Sequence, residues 1–547
     1  MIKINKRSFA LLLALLSLAS VGNPAKAGFD LVTLPGEKRV LSECPQEFQE
    51  QFSSFFNNPC TSSLLLNKAA ELQIPRCSDY KKGAPIDPTL PSSSVFVTYR
   101  ENNEIFIEEL AQEMEMEKGP TTLTIIVEHP KLAHFFASKR IQTLLHDEKK
   151  NSLIKVISTA ASRSDPVDSW TQDKLHFAPD GKELSIYEMA QTDERKIANE
   201  EDKLSFLVGN SCELPVYRAK GMAPIEKARS GALAYGGNLM AMPGNFYITG
   251  VIPFNPKYEN NMLGLVPVGR AGGNGGGGGG GALLVPGRVQ RQDQKNYLTD
   301  RFHQMQITGL ESEGHKVLKL DVSFLSVGHV DEMFSVVRTK GNAPCNLAIL
   351  YASPEKAMAV MKKEYAQLLE QGAKDSRRCQ YSAKFLMNEY ENKNERIPDE
   401  VARYNQQNGC LFDEPIETLL TGEGKKFFRK NNEDIQKIIT SNLFLLQEEM
   451  KRALKCPQIA TVAIPVLYNK EGKSLLPNSV NGLVMTKPGE VSSKFIAAKT
   501  FYPPFEKSIE EDLQKLAVTY SSIQELSYHL SDGDVHCATK SLPLCLP

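Results

Sequence analysis

Apolar and polar positions alternate along this chain with two distinct periods. Short apolar runs bounded by turn residues predict strands at 95–99, 122–127 and 153–158. The stretches between them, 103–114 and 133–145, carry apolar residues at helical spacing. The same alternation returns later, with strands expected at 347–351, 460–467 and 480–486 and helices at 354–369 and 435–454. Short strands alternating with helices argue for an α/β domain, running here from about residue 92 to 547. Two stretches break the pattern. Residues 370–434 are polar and charged and read as an inserted helical region. Gly275 to Gly281 is an unbroken glycine run without the Lys-Ser/Thr ending of a phosphate loop, so 270–295 reads as a flexible surface insertion. Ahead of the domain, 42–56 and 62–72 have helix-like spacing, and Pro85, Pro88 and Pro91 punctuate the approach to residue 92. Residues 28–91 are expected to form a small helical N-terminal extension, either a cap or an appendage.

The first 27 residues stand apart. Lys3, Lys6 and Arg7 precede an apolar core from Phe9 to Val21, and Ala25-Lys26-Ala27 is a small-x-small cleavage site. The apolar run is shorter than the ~20 residues a membrane span needs. A cleaved secretory signal is expected, giving a secreted or periplasmic protein with no integral membrane association. Removing four basic and no acidic residues takes the formal net charge from −1 to −5. No basic surplus argues for a nucleic-acid partner. Hydrophobic content of 41% over 547 residues is enough for a sizeable core. All ten cysteines lie beyond the signal, none in a C-x-x-C pair or a Cys/His cluster at zinc spacing. An oxidising compartment permits disulfides among them.

Candidate chemistry begins at Gly328-His329-Val330-Asp331-Glu332. The mostly apolar run 322–327 leads into it, and strand geometry would send His329 and Asp331 to one face. An imidazole beside a carboxylate suits proton transfer and cation binding, although a buried histidine satisfied by a neighbouring acid reads the same way. Upstream, Asp168-Ser169-Trp170-Thr171-Gln172-Asp173 holds the only tryptophan. A Trp beside an acid suits the wall of a pocket for a flat cation, and equally an ordinary core position. Gly236-Gly237-Asn238-Leu239 reads as a turn entering a strand. The chain ends near Gly533-Asp534-Val535-His536-Cys537, and Cys537 is either a nucleophile or a disulfide partner of Cys545.

Four separated pieces together resemble protein-arginine deiminases in content and order: Trp170-x-Gln172-Asp173, Ser326 to Glu332, Pro477-Asn478-Ser479-Val480-Asn481-Gly482, and Gly533 to Cys537. The resemblance spans roughly residues 93–547. It implies a five-bladed α/β propeller of ββαβ units, and conversion of peptidyl arginine to citrulline with release of ammonia. It implies Cys537 as nucleophile, Asp173 and Asp331 as the carboxylates gripping the guanidinium, and His329 as the acid/base. Trp170 would wall the substrate site, and Arg218 lies roughly where the family has an Arg contacting the peptide backbone. The chemistry accounts for this inventory. A guanidinium is planar and permanently charged, two carboxylates hold its plane, and a thiolate attacks its carbon.

The chain departs from the animal members of that family where they bind calcium. Lys174 and His176 stand where those relatives carry acids, and Met240 stands in place of a Glu. A hard cation needs several oxygen donors, so no cofactor and no metal are expected. The expected partners are arginine-containing proteins or peptides. Two alternatives remain: a deiminase or hydrolase of a free guanidine compound such as arginine, agmatine or methylarginine, and a non-catalytic exported binding protein.

Overall fold

The structure is a computed structural model. It describes residues 29–32, 76–116, 121–128, 131–147, 150, 153–159, 170–180, 183–188, 204–219, 236–252, 303, 306–340, 344–371, 379–487 and 490–544. The expected signal, the helices at 42–56 and 62–72, and the glycine run lie outside the described residues.

Strand Ser92–Thr98 is buried along its whole length, as a run of Val, Phe, Ser and Thr covered on both faces must be. It pairs in parallel with Thr122–Glu128, which pairs in parallel with Ile154–Thr159. The crossovers are helical: Glu104–Met116, then Leu132–Ala137 and Lys139–His146. The periodicity at 133–145 predicted one helix, but Ser138 adopts an extended conformation and its side chain accepts a hydrogen bond from Ile141 N, ending one helix and capping the next. The free edge of this first sheet is taken by Thr539–Pro543, antiparallel to Ser92–Thr98. The last described strand thus closes the sheet that opens the domain.

Four further sheets share one pairing scheme, an antiparallel pair whose second strand pairs in parallel with a third. The second sheet is Leu175–Asp180, Glu183–Glu188 and Val216–Ala219. The third is Leu239–Met242, Phe246–Val251 and Lys316–Asp321. The fourth is Phe334–Arg338, Leu347–Ser353 and Ala460–Pro465. The fifth is Leu483–Thr486, Ser493–Ala498 and Thr519–Ile523. Each parallel step needs a crossover. Helix Leu204–Cys212 lies in the second, helices Pro354–Glu370 and Lys426–Leu454 in the fourth, and Pro503–Gln514 in the fifth. Pro354 at the first turn and Ser353 accepting from Lys356 N fix the start of the first fourth-sheet helix. Residues of Leu175–Asp180, Leu239–Met242, Phe334–Arg338, Leu483–Thr486 and Thr539–Pro543 line one cavity of about 90 Å³. The first strand of each later sheet and the closing strand of the first therefore face one central space.

Two expectations change. The run 322–327 is not a strand: the strand ends at Asp321 and the next begins at Phe334, with turns between. The start of the N-terminal extension is a strand rather than a helix, since Phe29–Val32 pairs antiparallel with Val216–Ala219. Beyond Pro354–Glu370, the polar stretch packs its own core. Leu386, Ile397, Val401, Leu411, Ile416 and Leu419 cluster with Met361, Tyr502 and Phe505, and a disulfide joins Cys379 to Cys410. A second disulfide joins Cys345 to Cys456, and Cys77 and Cys212 are also disulfide-bonded.

Candidate active site

The turn that carries His329 and Asp331 depends on Gly328, whose φ of +83° lies in the left-handed region that glycine enters without strain. His329 is then extended and caps a single 3₁₀ turn, Val330–Glu332. The two side chains share one space because of this turn, not because of strand alternation. His329 and Asp331 are 2% and 1% exposed. Glu332 Oε1 accepts from His329 N at 3.4 Å, and Asn478 Nδ2 donates to the Glu332 carbonyl at 2.9 Å. Burial, then the Asp331 charge, pushes the Glu332 carboxyl well above the usual carboxylate range.

Asp173 arrives from the short helix Thr171–Lys174, which Trp170 precedes. Gly237 N donates to Asp173 Oδ1 at 3.0 Å. His329 Nδ1 lies 3.9 Å from that same oxygen. A methyl group at Gly237 would fall 2.5 Å from His329 Nδ1, 3.0 Å from Asp173 Oδ1 and 3.1 Å from Asp331 Oδ2. Gly237 is therefore the point where His329, Asp173 and Asp331 meet, and only a residue without a side chain fits there.

Cys537 enters from the opposite end of the chain, on the turn Val535–Ala538. It is a free, buried thiol, which removes the alternative of a disulfide with Cys545. Its Sγ lies 3.4 Å from Asp331 Oδ2, and His536 Nδ1 lies 2.8 Å from the same oxygen. Asn481 holds Cys537 twice: its Nδ2 donates to Sγ at 3.1 Å and its Oδ1 accepts from Cys537 N at 3.1 Å. The loop that presents Asn481 is folded by Asn478, whose Oδ1 accepts from Val480 N and whose N donates to Asp534 Oδ1, both at 3.1 Å. Asp331 Oδ1 is buried with no hydrogen-bond partner. A buried carboxylate oxygen left unpaired is costly.

The half-buried Trp170 ring packs 5.5 Å from Tyr528 and passes over Gly533. A methyl at Gly533 would come 2.5 Å from the indole and 3.1 Å from Cys537 Cβ. The tryptophan thus flanks Cys537 as a wall. Arg218 lies on strand Val216–Ala219, pairing with Glu188 and Asp30, and its side chain is outside the described residues. Asn481, Gly237 and His536 fall within the sequence motifs, but the motifs alone assign them no role. Their meaning comes from neighbours 56 to 205 residues away.

Burial, followed by the charges of Asp331 and Asp173, pushes the Cys537 thiol well above its ordinary value. A cation placed between those carboxylates would reverse the electrostatic part of that shift. His329, Asp331 and Cys537 bring one ligating atom each within 4.8 Å of one another, the one such set among the described residues. The calcium positions of the animal family do not fit that metal. His176 is buried, with Nε2 2.9 Å from Tyr247 Oη, and burial holds its imidazole down to about 3, so it is neutral. Met240 is buried and offers a thioether. Neither is the oxygen donor a hard cation requires. The Lys174 side chain lies outside the described residues.

Among curated proteins, none matches this chain in sequence. Solved structures that align with it include a Porphyromonas gingivalis protein assigned as an arginine deiminase, at 13% identity and a TM-score of 0.40, covering 85% of this chain and 99% of that one. A protein assigned as a peptidyl-arginine deiminase aligns at 9% identity and 0.39, covering 84% of this chain and 98% of that one. The agmatine deiminase of C. jejuni aligns at 10% identity and 0.36, covering 85% and 97% respectively. The family model described as protein-arginine deiminase matches residues 291–544, a span that contains His329, Asp331, Asn481 and Cys537. Over those residues the chain is similar to the protein-arginine deiminase family.

Proposed function

We propose that this protein hydrolyses the guanidinium group of arginine in proteins or peptides, yielding citrulline and ammonia, as an exported enzyme that does not need calcium. The observation that carries the reading is the Asp331 carboxylate. One oxygen contacts the free thiol of Cys537, and the other is buried and unpaired, with Asp173 and His329 gathered across Gly237. Two carboxylates, an imidazole and a thiol in one buried space form the set a guanidinium reaction needs.

Asp173 and Asp331 accept charge-assisted hydrogen bonds from the guanidinium and hold its plane. As the substrate cation arrives the Cys537 thiol passes its proton to His329, and the thiolate attacks the guanidinium carbon, a C–S bond forming while one C=N bond opens to a tetrahedral adduct. His329 gives its proton to the departing nitrogen, the C–N bond breaks, and ammonia leaves behind a Cys537 thiouronium. The neutral imidazole then takes a proton from water, hydroxide adds to the same carbon, and the C–S bond breaks to return the thiol and release the ureido product. Asn481 keeps Sγ in line throughout.

Further features support the remaining parts of this proposal. The five sheets of one pairing scheme, each presenting a strand to the central cavity, support the reading of a five-bladed α/β propeller. Two disulfides within the described residues support an oxidising compartment, in keeping with the secretory signal read at the N-terminus. No described helix is long and apolar enough to cross a membrane. The neutral His176 and buried Met240 support independence from calcium.

The test is turnover of the purified mature protein on arginine-containing peptides and on free arginine, with calcium and with chelator. Peptidyl citrulline in both metal conditions is expected, and Cys537→Ser should abolish it. Product from free arginine alone would move the activity to small guanidines. No product from either under reducing conditions would leave only a binding role, and loss with chelator would overturn calcium independence.

A further inference from the structure

Two groups meet at Asp331 Oδ2. Cys537 Sγ lies 3.4 Å from it and His536 Nδ1 2.8 Å, while Oδ1 has no hydrogen-bond partner among the described residues. An ionised carboxylate only accepts hydrogen bonds, so the thiol and the imidazole N–H both donate to this one oxygen. The two donors are neighbours in the chain, on the turn Val535–Ala538, but they differ in what the reaction asks of them. The thiol must surrender its proton to become a nucleophile, whereas the imidazole of His536 keeps its own.

His536 is itself held in place. Its backbone N donates to the Asn481 carbonyl at 3.0 Å, and the next backbone N, that of Cys537, donates to Asn481 Oδ1 at 3.1 Å. The loop that sets the position of Sγ therefore sets the imidazole as well. The His536 side chain is 20% exposed and borders the central cavity, while the Asp331 side chain beneath it is 1% exposed. The terminal torsion of an aspartate is broad and close to two-fold, so a donor is needed to decide which oxygen takes which partner. Once Cys537 has lost its proton, Sγ can no longer donate, and two negative atoms stand 3.4 Å apart. Like charges so close repel strongly in a buried site. The His536 N–H is then the donor left on Oδ2.

The geometry points to His536 as a positioning residue, whose Nδ1–H pins Asp331 Oδ2, leaves Oδ1 for the substrate, and stays on Oδ2 while the Cys537 thiolate forms. This rests on the guanidinium-site reading given above. His536 acts through Asp331 rather than on the substrate, and it predicts which kinetic constants respond. The bond counts most after the thiol has given up its proton, on the way to attack. An interaction made only in the transition state lowers kcat and kcat/KM equally when it is removed.

The test is the full mature chain bearing His536→Leu, His536→Gln or His536→Asn, each first checked by thermal melting. An asparagine Nδ2 hangs from Cγ as the imidazole Nδ1 does, whereas glutamine carries its amide one carbon farther out. His536→Leu and His536→Gln should lower kcat and kcat/KM alike by about ten- to a hundredfold, the range for a lost hydrogen bond to a charged group. His536→Asn should recover most of that loss. If the leucine variant does not fold, the contrast between glutamine and asparagine carries the test. A folded glutamine variant as active as wild type would overturn the assignment, and so would an asparagine variant no better than the glutamine one. A raised KM with kcat unchanged would also overturn it, since it would mark a part in substrate binding alone. Nitrogen NMR of histidine-labelled protein, with the His536 signals identified by their loss in His536→Asn, reads the bond without turnover. Nδ1 should carry the proton, and a bare Nδ1 would refute the role even in an active enzyme. A protonated Nδ1 in a protein that turns over no guanidine would retain the hydrogen bond and refute the activity instead.

Discussion

Gly237→Ala tests the proposed geometry most directly, because it adds one carbon at the point where three functional side chains meet. The new methyl would lie 2.5 Å from His329 Nδ1, 3.0 Å from Asp173 Oδ1 and 3.1 Å from Asp331 Oδ2. Ordinary contact distance is about 3.5 Å, so the imidazole must retreat by about 1 Å and both carboxylates by a few tenths of an ångström. A misplacement of about 1 Å costs roughly a hundredfold in rate, equivalent to about 2.7 kcal/mol of transition-state stabilisation. Movement of the Asp173 helix would also lengthen the 3.0 Å bond from Gly237 N. The loss should fall on kcat, because the reacting groups are spread apart while the charge that attracts the guanidinium remains. The assay is citrulline production on an arginine peptide over a range of concentrations, with a thermal melt to show that the variant folds. Activity within threefold of wild type would refute the arrangement of His329, Asp173 and Asp331 about this glycine.

Three further outcomes are expected from the same geometry. Asn481→Ala removes both hydrogen bonds to Cys537 and should lower kcat by about ten- to a hundredfold, since two bonds of about 1 kcal/mol each are lost; an unchanged kcat would show that the loop does not position the thiol. Alkylation of free Cys537 by neutral iodoacetamide should be slow at neutral pH and accelerate as pH rises, because burial and the two aspartates favour the protonated thiol. Asp331→Asn should shift that midpoint to lower pH, and a shift upward would contradict the electrostatic account. Replacing Cys345 and Cys456 together by serine opens a loop of 111 residues and should destabilise the fold by up to about 5 kcal/mol on chain-entropy grounds, read as a lower denaturant midpoint with unchanged kcat.

The alternation of strands and helices was visible in the sequence because burial on both faces demands continuous apolar runs. Strands Ser92–Thr98 and Thr122–Glu128 are buried nearly throughout, whereas helix Pro354–Glu370 is legible by helical spacing, burying Pro354, Ala357 and Met361 and exposing its other side. The candidate reacting groups were visible for a different reason. Asp173, His329, Asp331 and Cys537 sit in three of four short motifs whose order resembles a known family, and the structure brings these four residues together. What local pattern could not supply was geometry that depends on distant contacts. Spacing alone put His329 and Asp331 on a strand, whereas a left-handed Gly328 and one 3₁₀ turn bring them together. Arg218 remains a strand residue whose side chain is not described. Gly237 and Asn481 look unremarkable in sequence, as a turn glycine and a loop amide. Tertiary structure alone decided their parts, because side chains near Cys537 come from segments up to hundreds of residues away, and desolvation and charge act between groups only once the fold has closed around them.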